Sequence, residues 1–125
     1  MPIAFPEDQQ PNQVLVKVSG AVSIQEMLSF IAMSRSGEQR DYAFLFDVTA
    51  AALTVSGDEM RQLAAFAADQ MRQGPMGPVA FISTDPGPFG LSRIFQSYSV
   101  AEGRRNVGVF RTLSDARAWI ATLPR

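Results

Sequence analysis

Neither histidine nor cysteine occurs among the 125 residues of this chain. Histidine is the side chain that ordinarily exchanges a proton near neutral pH, and the two residues together supply most zinc and haem ligand sets. Their absence removes the Ser-His-Asp triad, thiol nucleophiles, redox dithiols and disulfides. An enzyme made from this chain would work with carboxylates, Arg, Tyr and Ser alone. A cysteine-free chain also fits a reducing compartment, so a cytoplasmic location is expected.

Charge is scarce as well, with 11 basic and 12 acidic residues, a net charge of −1, and no like-charged run longer than a pair such as Arg104-Arg105. Nucleic-acid binders carry a basic stripe, so no nucleic-acid partner is expected. Apolar runs such as Tyr42 to Phe46 fall far short of the roughly 20 residues that cross a bilayer. Met1 to Phe5 leads directly into Pro6, Glu7 and Asp8, without the basic start and apolar stretch of a signal peptide.

What is present is a regular alternation of strand and helix patterns. Ile3 to Phe5 is a short apolar patch ahead of turn formers. Val14, Val16 and Val18 then alternate with Lys17 and Ser19, which suggests an N-terminal antiparallel hairpin. Gly20 is expected to break that strand. Ser23 and Glu26 have the capping-box spacing, and Ile24, Met27, Leu28 and Ile31 follow at helical steps, ending near Ser36-Gly37. Tyr42 to Phe46 reads as the buried centre of the sheet, with Phe44 and Phe46 at its midline and Asp47 closing the strand.

A loop of small residues is expected next. Ser56 and Glu59 then repeat the capping box before a stripe of Met60, Leu63, Ala64, Ala67 and Met71, which Gln73-Gly74-Pro75 stops. Val79 to Ile82 is a third buried run. Asp85-Pro86-Gly87-Pro88 reads as a loop, and Leu91, Ile94, Phe95 and Tyr98 mark a third helix. Val107 to Phe110 is the last strand. Thr112 and Asp115 cap a final helix, with the lone Trp119 on its inward side. The pattern predicts one α/β domain over 1–125, with a mixed, mostly parallel sheet and about four helices.

Val16-Lys17-Val18-Ser19-Gly20, Phe44-Leu45-Phe46-Asp47-Val48, the aromatic third helix around Ile94-Phe95, and the ending from Val109-Phe110 to Ala116-Arg117-Ala118-Trp119-Ile120 together resemble the SpoIIAA-like group of STAS domains. The resemblance covers nearly the whole chain. It implies a small cytoplasmic module for interaction or ligand sensing, not an enzyme, with relatives thought to bind apolar molecules or membranes. In one branch of that fold a serine at the start of the second helix is phosphorylated. Ser56, followed by Gly57, matches that position, and Asp47 ends the preceding strand, although Thr54-Val55-Ser56-Gly57 departs from the family's Asp-Ser-Ser-Gly pattern.

Each candidate site has a structural alternative. Ser56 and Gly57 are either a phosphorylation or anion site at a helix N-terminus, or a plain helix cap. The carboxyl edge of the sheet should present Asp47, Thr84, Asp85, Arg111 and Thr112. Asp47 there is either chemically active or a loop-ordering acceptor. Met60, Leu63, Phe89, Ile94, Phe95 and Tyr98, with Met27, Met33, Met71 and Met76 nearby in pattern, either line an adaptable apolar pocket or form ordinary core. Phe30, Phe66 and Phe89 lie off the main stripes and would mark a dimer, partner or lipid surface if exposed together. No metal or cofactor is implied. The expected partner is a protein, with a small apolar, lipid-like ligand as the alternative. Homodimerisation and peripheral membrane contact complete the expectations.

Overall fold

The computed structural model describes residues 3–6, 10–34, 42–72, 77–101 and 106–123, apart from the side chains of Ile3, Phe30, Met33, Ser34, Leu53, Met71 and Pro88. Arg104, Arg105, Met76, Ser36-Gly37, Gln73-Gly74-Pro75 and the side chains of Phe30, Met33 and Met71 therefore lie outside what is described.

The elements in chain order are β1 (Ile3–Ala4), β2 (Gln13–Val22), α1 (Ile24–Ser34), β3 (Ala43–Leu53), α2 (Gly57–Arg72), β4 (Val79–Ile82), α3 (Pro86–Ala101), β5 (Val107–Phe110) and α4 (Leu113–Thr122). The strands lie in the order β1-β2-β3-β4-β5, and β2 to β5 are mutually parallel. At the outer edge, β1 runs antiparallel to β2 over two residue pairs, Ile3 with Val18 and Ala4 with Lys17.

Spatial order equal to chain order has a mechanical consequence. Each crossover steps the same way along the sheet, so right-handed connections put every crossover helix on one face. The core shows this arrangement. Val14, Val16, Val18, Phe44, Phe46 and Phe81 turn towards α1, α2 and α3. Leu15, Ala43, Leu45, Ala80 and Ile82 turn the other way and meet only α4, through Ala116 and Ile120. Three helices thus cover one face of the sheet and a single helix covers the other.

Capping fixes where three helices begin. The Glu26 amide donates to Ser23 Oγ at 3.3 Å, and the Ser23 amide donates back to Glu26 Oε1 at 3.1 Å. The same exchange closes α2, from Glu59 N to Ser56 Oγ at 3.1 Å and from Ser56 N to Glu59 Oε1 at 3.0 Å. Ahead of α4 the Asp115 amide donates to Thr112 Oγ1 at 3.1 Å. Along the sheet midline Phe44, Phe46 and Phe81 stack at centroid separations of 6.1 and 5.7 Å, and Phe95 from α3 meets Phe81 edge-on at 5.3 Å. Offset and edge contacts of this kind add about 0.5–1.5 kcal/mol each beyond area burial.

Two boundaries differ from the sequence reading. Gly20 does not end β2 and Asp47 does not end β3. Both strands run on, pairing Ser19 with Ala50, Gly20 with Ala51, Ala21 with Ala52 and Val22 with Leu53. Gly20 takes φ +73°, a left-handed value that glycine adopts without penalty, and so bends the strand while keeping it paired. The register slips by one residue between Lys17 and Ser19, which leaves an extra residue on β3. Thr54 fastens the end of this ribbon, donating both its amide, at 3.1 Å, and its hydroxyl, at 3.0 Å, to the Val22 carbonyl.

The third helix also starts earlier than expected, at Pro86 instead of near Leu91. Asp85 caps it by accepting the Gly87 amide at 3.2 Å. Proline suits a first turn because the amide it lacks would have no intrahelical partner there, so the Asp-Pro-Gly-Pro run initiates a helix.

Candidate functional site

At the carboxyl edge of the sheet, neighbouring strands send their chains to opposite faces at one place. β4 leads into α3 on the three-helix face, whereas β5 leads into α4 on the other. Such a divergence is where open α/β sheets form a ligand crevice. The residues there are Thr84, Asp85, Phe89, Arg111 and Thr112. The Ser83 amide donates to the Phe110 carbonyl at 3.0 Å across the gap. The Arg111 guanidinium carbon lies 4.2 Å from the Phe89 ring centroid, and its Nη1 is 3.5 Å from the Thr84 carbonyl oxygen. The crevice is thus spanned by the protein's own cation–π contact.

The other polar groups on this edge hold the chain in shape. Asp85 caps α3, and Thr112 caps α4. Ser83 is fully buried and closes the turn, accepting the Asp85 amide at 3.2 Å. Asp47 accepts the Thr49 amide at 3.0 Å, at the slip in the β2–β3 register, where a ladder donor would otherwise go unmatched. The loop-ordering role considered for Asp47 is therefore carried out inside a strand, at a bulge. Among the described residues no group of three or more acidic side chains could hold a metal.

Ser56 and Gly57 form the entrance to α2. Ser56 is exposed, and its hydroxyl is occupied by the Glu59 amide. Asp58 and Glu59 already supply negative charge to this first turn. A phosphate on Ser56 would gain the helix dipole but would also break the capping exchange and crowd two carboxylates. The geometry accounts for Ser56 as a cap. Gly57 packs close to the next helix, since a Cβ on it would lie 3.9 Å from Ile94 Cδ1.

The six residues considered for one apolar pocket separate into three environments. Met60, Leu63 and Phe95 are fully enclosed in the main core. Ile94 and Tyr98 are half-buried and border an open groove with Arg93 and Ser97, with the Arg61 guanidinium carbon 6.0 Å from the Tyr98 ring centroid. Phe89 is half-buried under Arg111. Phe66 is half-buried. The exposed large apolar side chains among the described residues are Phe5 and Val100.

Two features escape the sequence. One is a small apolar slot of about 40 Å³ between α1, α2 and the sheet, of whose lining only Met27 and Leu63 are among the candidates. The alternation of Val18, Val22 and Val48 marks them as core but gives no hint that they leave space between them. The other is the far side of the β2–β3 ribbon beyond α4. Lys17, Ser19 and Ala21 from β2 and Ala50 and Ala52 from β3 are exposed there, and α4 covers β3 to β5 lower down.

The chain matches no protein-family model, and no curated protein matches it. Among the described residues, no helix is long and apolar enough to cross a membrane.

Proposed function

We infer that this protein is a non-enzymatic regulatory or protein-interaction module with a STAS-like plan, working in the cytoplasm, and that it docks a protein partner on the open side of the β2–β3 ribbon. The observation that carries the reading is the uneven covering of the sheet. Three helices seal one face, while the single helix α4 leaves Ser19, Ala21, Ala50 and Ala52 bare on the other. Apart from Lys17, the exposed side chains of this face are small and uncharged; on a paired backbone they cost little desolvation and admit close approach, whereas a solvent-facing strand would ordinarily carry charged or long polar residues throughout.

Two further facts support the reading. The carboxylate of Asp47 is spent on a bulge inside β3, and that of Asp85, at the usual ligand edge, on a helix cap. The apolar slot holds about 40 Å³, well short of the roughly 300–1,000 Å³ of sites that take drug-sized or lipid-like molecules.

The test is affinity capture from the protein's own host with the wild type and with Ala52→Arg, together with sedimentation of both purified proteins over a concentration series. A partner retained by the wild type and lost by the variant supports the reading, as does a wild-type dimer that the variant cannot form. Equal recovery of every partner and the same mass at all concentrations would refute it.

A further inference from the structure

Among the described residues of α2 and α3, one arginine is matched by a carboxylate and two are not. Arg72 pairs with Asp69, three residues back on the same helix. Arg61 has Asp58 at the same spacing, yet it forms no ion pair among the described residues and lies instead against the neighbouring helix, its guanidinium carbon 6.0 Å from the Tyr98 ring centroid. Arg93, the single charged residue in the 16 of α3, is likewise without an ion pair among the described residues. Arg93, Ile94, Ser97 and Tyr98 line an open groove, and the Tyr98 contact brings Arg61 to its side.

The polar groups of this groove are all able to donate. The two guanidiniums and the hydroxyls of Ser97 and Tyr98 have no hydrogen-bond partner among the described residues, and no carboxylate lines the groove. Donors without acceptors select an anion. The guanidinium fork suits a carboxylate in particular, which it can hold through two parallel bonds. The rest of the lining is apolar, since Ile94 and the Tyr98 ring are half-buried, so an acidic group next to an apolar one fits better than a bare ion. A membrane surface is held by clusters of roughly four to eight cations and a nucleic acid by a basic stripe. The described residues of α2 and α3 instead set Arg61, Arg72 and Arg93 against Asp58, Glu59 and Asp69, a balance that favours a peptide.

We propose that the groove between α2 and α3 beside Tyr98 binds an acidic segment of a protein partner, with carboxylates on Arg61 and Arg93 and an apolar side chain on Ile94 and the Tyr98 ring. Charge complementarity and the half-apolar lining carry the assignment. The site does not rest on the ribbon face proposed above, because the groove lies on the three-helix side of the sheet and the ribbon face on the other, so the two readings fail separately.

Titration of the nitrogen-15-labelled protein with the end-capped peptide Glu-Glu-Leu-Glu-Glu, followed by NMR, tests it. The arginine Nε–H signals of Arg61 and Arg93 and the amides of Ser97 and Tyr98 are expected to shift saturably, and the affinity should fall as salt rises. The counterpart Gln-Gln-Leu-Gln-Gln should leave the same signals still. Arg61→Gln and Arg93→Gln are each expected to raise Kd about three- to fivefold, the loss of one exposed charge contact. Arg72→Gln removes the same charge eleven residues further along α2, about 16 Å away, and should leave Kd unchanged. All three arginines are exposed, so the amide spectrum outside the groove should be kept in every variant. No saturable shift, equal shifts with the glutamine peptide, or an equal loss of affinity in Arg72→Gln would overturn the proposal. So would inorganic phosphate reproducing the shifts at the same concentration, which assigns the groove to a small oxyanion, or phosphatidylserine vesicles retaining a protein whose signals the peptide does not move, which assigns it to a membrane.

Discussion

Gly108 lies so close beneath Phe110 that a Cβ on it would fall 2.5 Å from the ring's Cε2, and 3.2 Å from Trp119. The Phe110 and Trp119 rings are themselves 5.3 Å apart and tilted by 44°. On the sheet face covered by one helix, this pair joins β5 to α4, and the missing side chain at 108 is what lets it settle. Gly108→Ala is therefore expected to lower stability by about 1–3 kcal/mol through overpacking. Gly90 is the contrasting case, since it lies inside α3 and a Cβ on it would meet nothing within 4 Å. Gly90→Ala should raise stability by about 0.5–1 kcal/mol through helix propensity. Urea midpoints for the two variants moving in the same direction would contradict this account.

Trp119 packs against Phe110 on the inward face of α4, as the sequence predicts, but it remains half-buried. A half-exposed ring gives up less on truncation than a sealed one, so Trp119→Ala should cost about 2 kcal/mol, below the ~3–5 kcal/mol typical of a fully buried aromatic. A double-mutant cycle with Phe110→Ala should return a coupling of about 0.5–1.5 kcal/mol, the range of a direct ring contact. A coupling near zero would mean that the two rings anchor α4 independently.

The parts of the fold that can be read from sequence are those where local chemistry and global packing agree. Ser23 with Glu26 and Ser56 with Glu59 announce helix starts because the capping exchange needs only four consecutive residues. Phe44 and Phe46 announce the sheet centre because a continuously apolar strand must be covered on both sides. The ribbon beyond Asp47 is hidden for the opposite reason. Ala50, Ala51 and Ala52 have little strand preference of their own, and Gly20 ordinarily ends a strand. What makes them strands is their pairing with each other across 30 residues of chain, which no local pattern records. The start of α3 is equally hard to read, because Pro-Gly-Pro breaks a helix anywhere except in its first turn. At the candidate site, the individual edge residues are legible, but their use as caps and clamps depends on the divergence of α3 and α4 to opposite faces.

Ser56 separates a cap from a switch. If it only closes α2, Ser56→Ala should cost about 1 kcal/mol, and Ser56→Asp should cost less because aspartate also accepts the first-turn amide. Glu59→Ala should lose part of the same stabilisation, and the double variant Ser56→Ala with Glu59→Ala should cost less than the sum of the singles, since the exchange is shared. Thermal unfolding of the four proteins measures this. A Ser56→Asp variant markedly less stable than Ser56→Ala would show that added negative charge opens the helix start, which is the behaviour required of a phosphorylation switch.

Ser92 and Ser99 stand seven residues apart on α3, are almost completely buried, and have hydroxyls with no hydrogen-bond partner among the described residues. A buried hydroxyl that has given up water without finding a replacement costs about 1–3 kcal/mol, so its removal should be favourable. Ser92→Ala and Ser99→Ala are each expected to stabilise the protein by about 1 kcal/mol, and alanine's better helix propensity contributes part of that gain. Ser97→Ala isolates the propensity part, because Ser97 is on the exposed side of the same helix. The excess of the two buried substitutions over Ser97→Ala in urea-unfolding free energy is the cost of the unmatched hydroxyls. If Ser92→Ala or Ser99→Ala instead lowers stability, the hydroxyl bonds to a buried water or to a carbonyl one helical turn back.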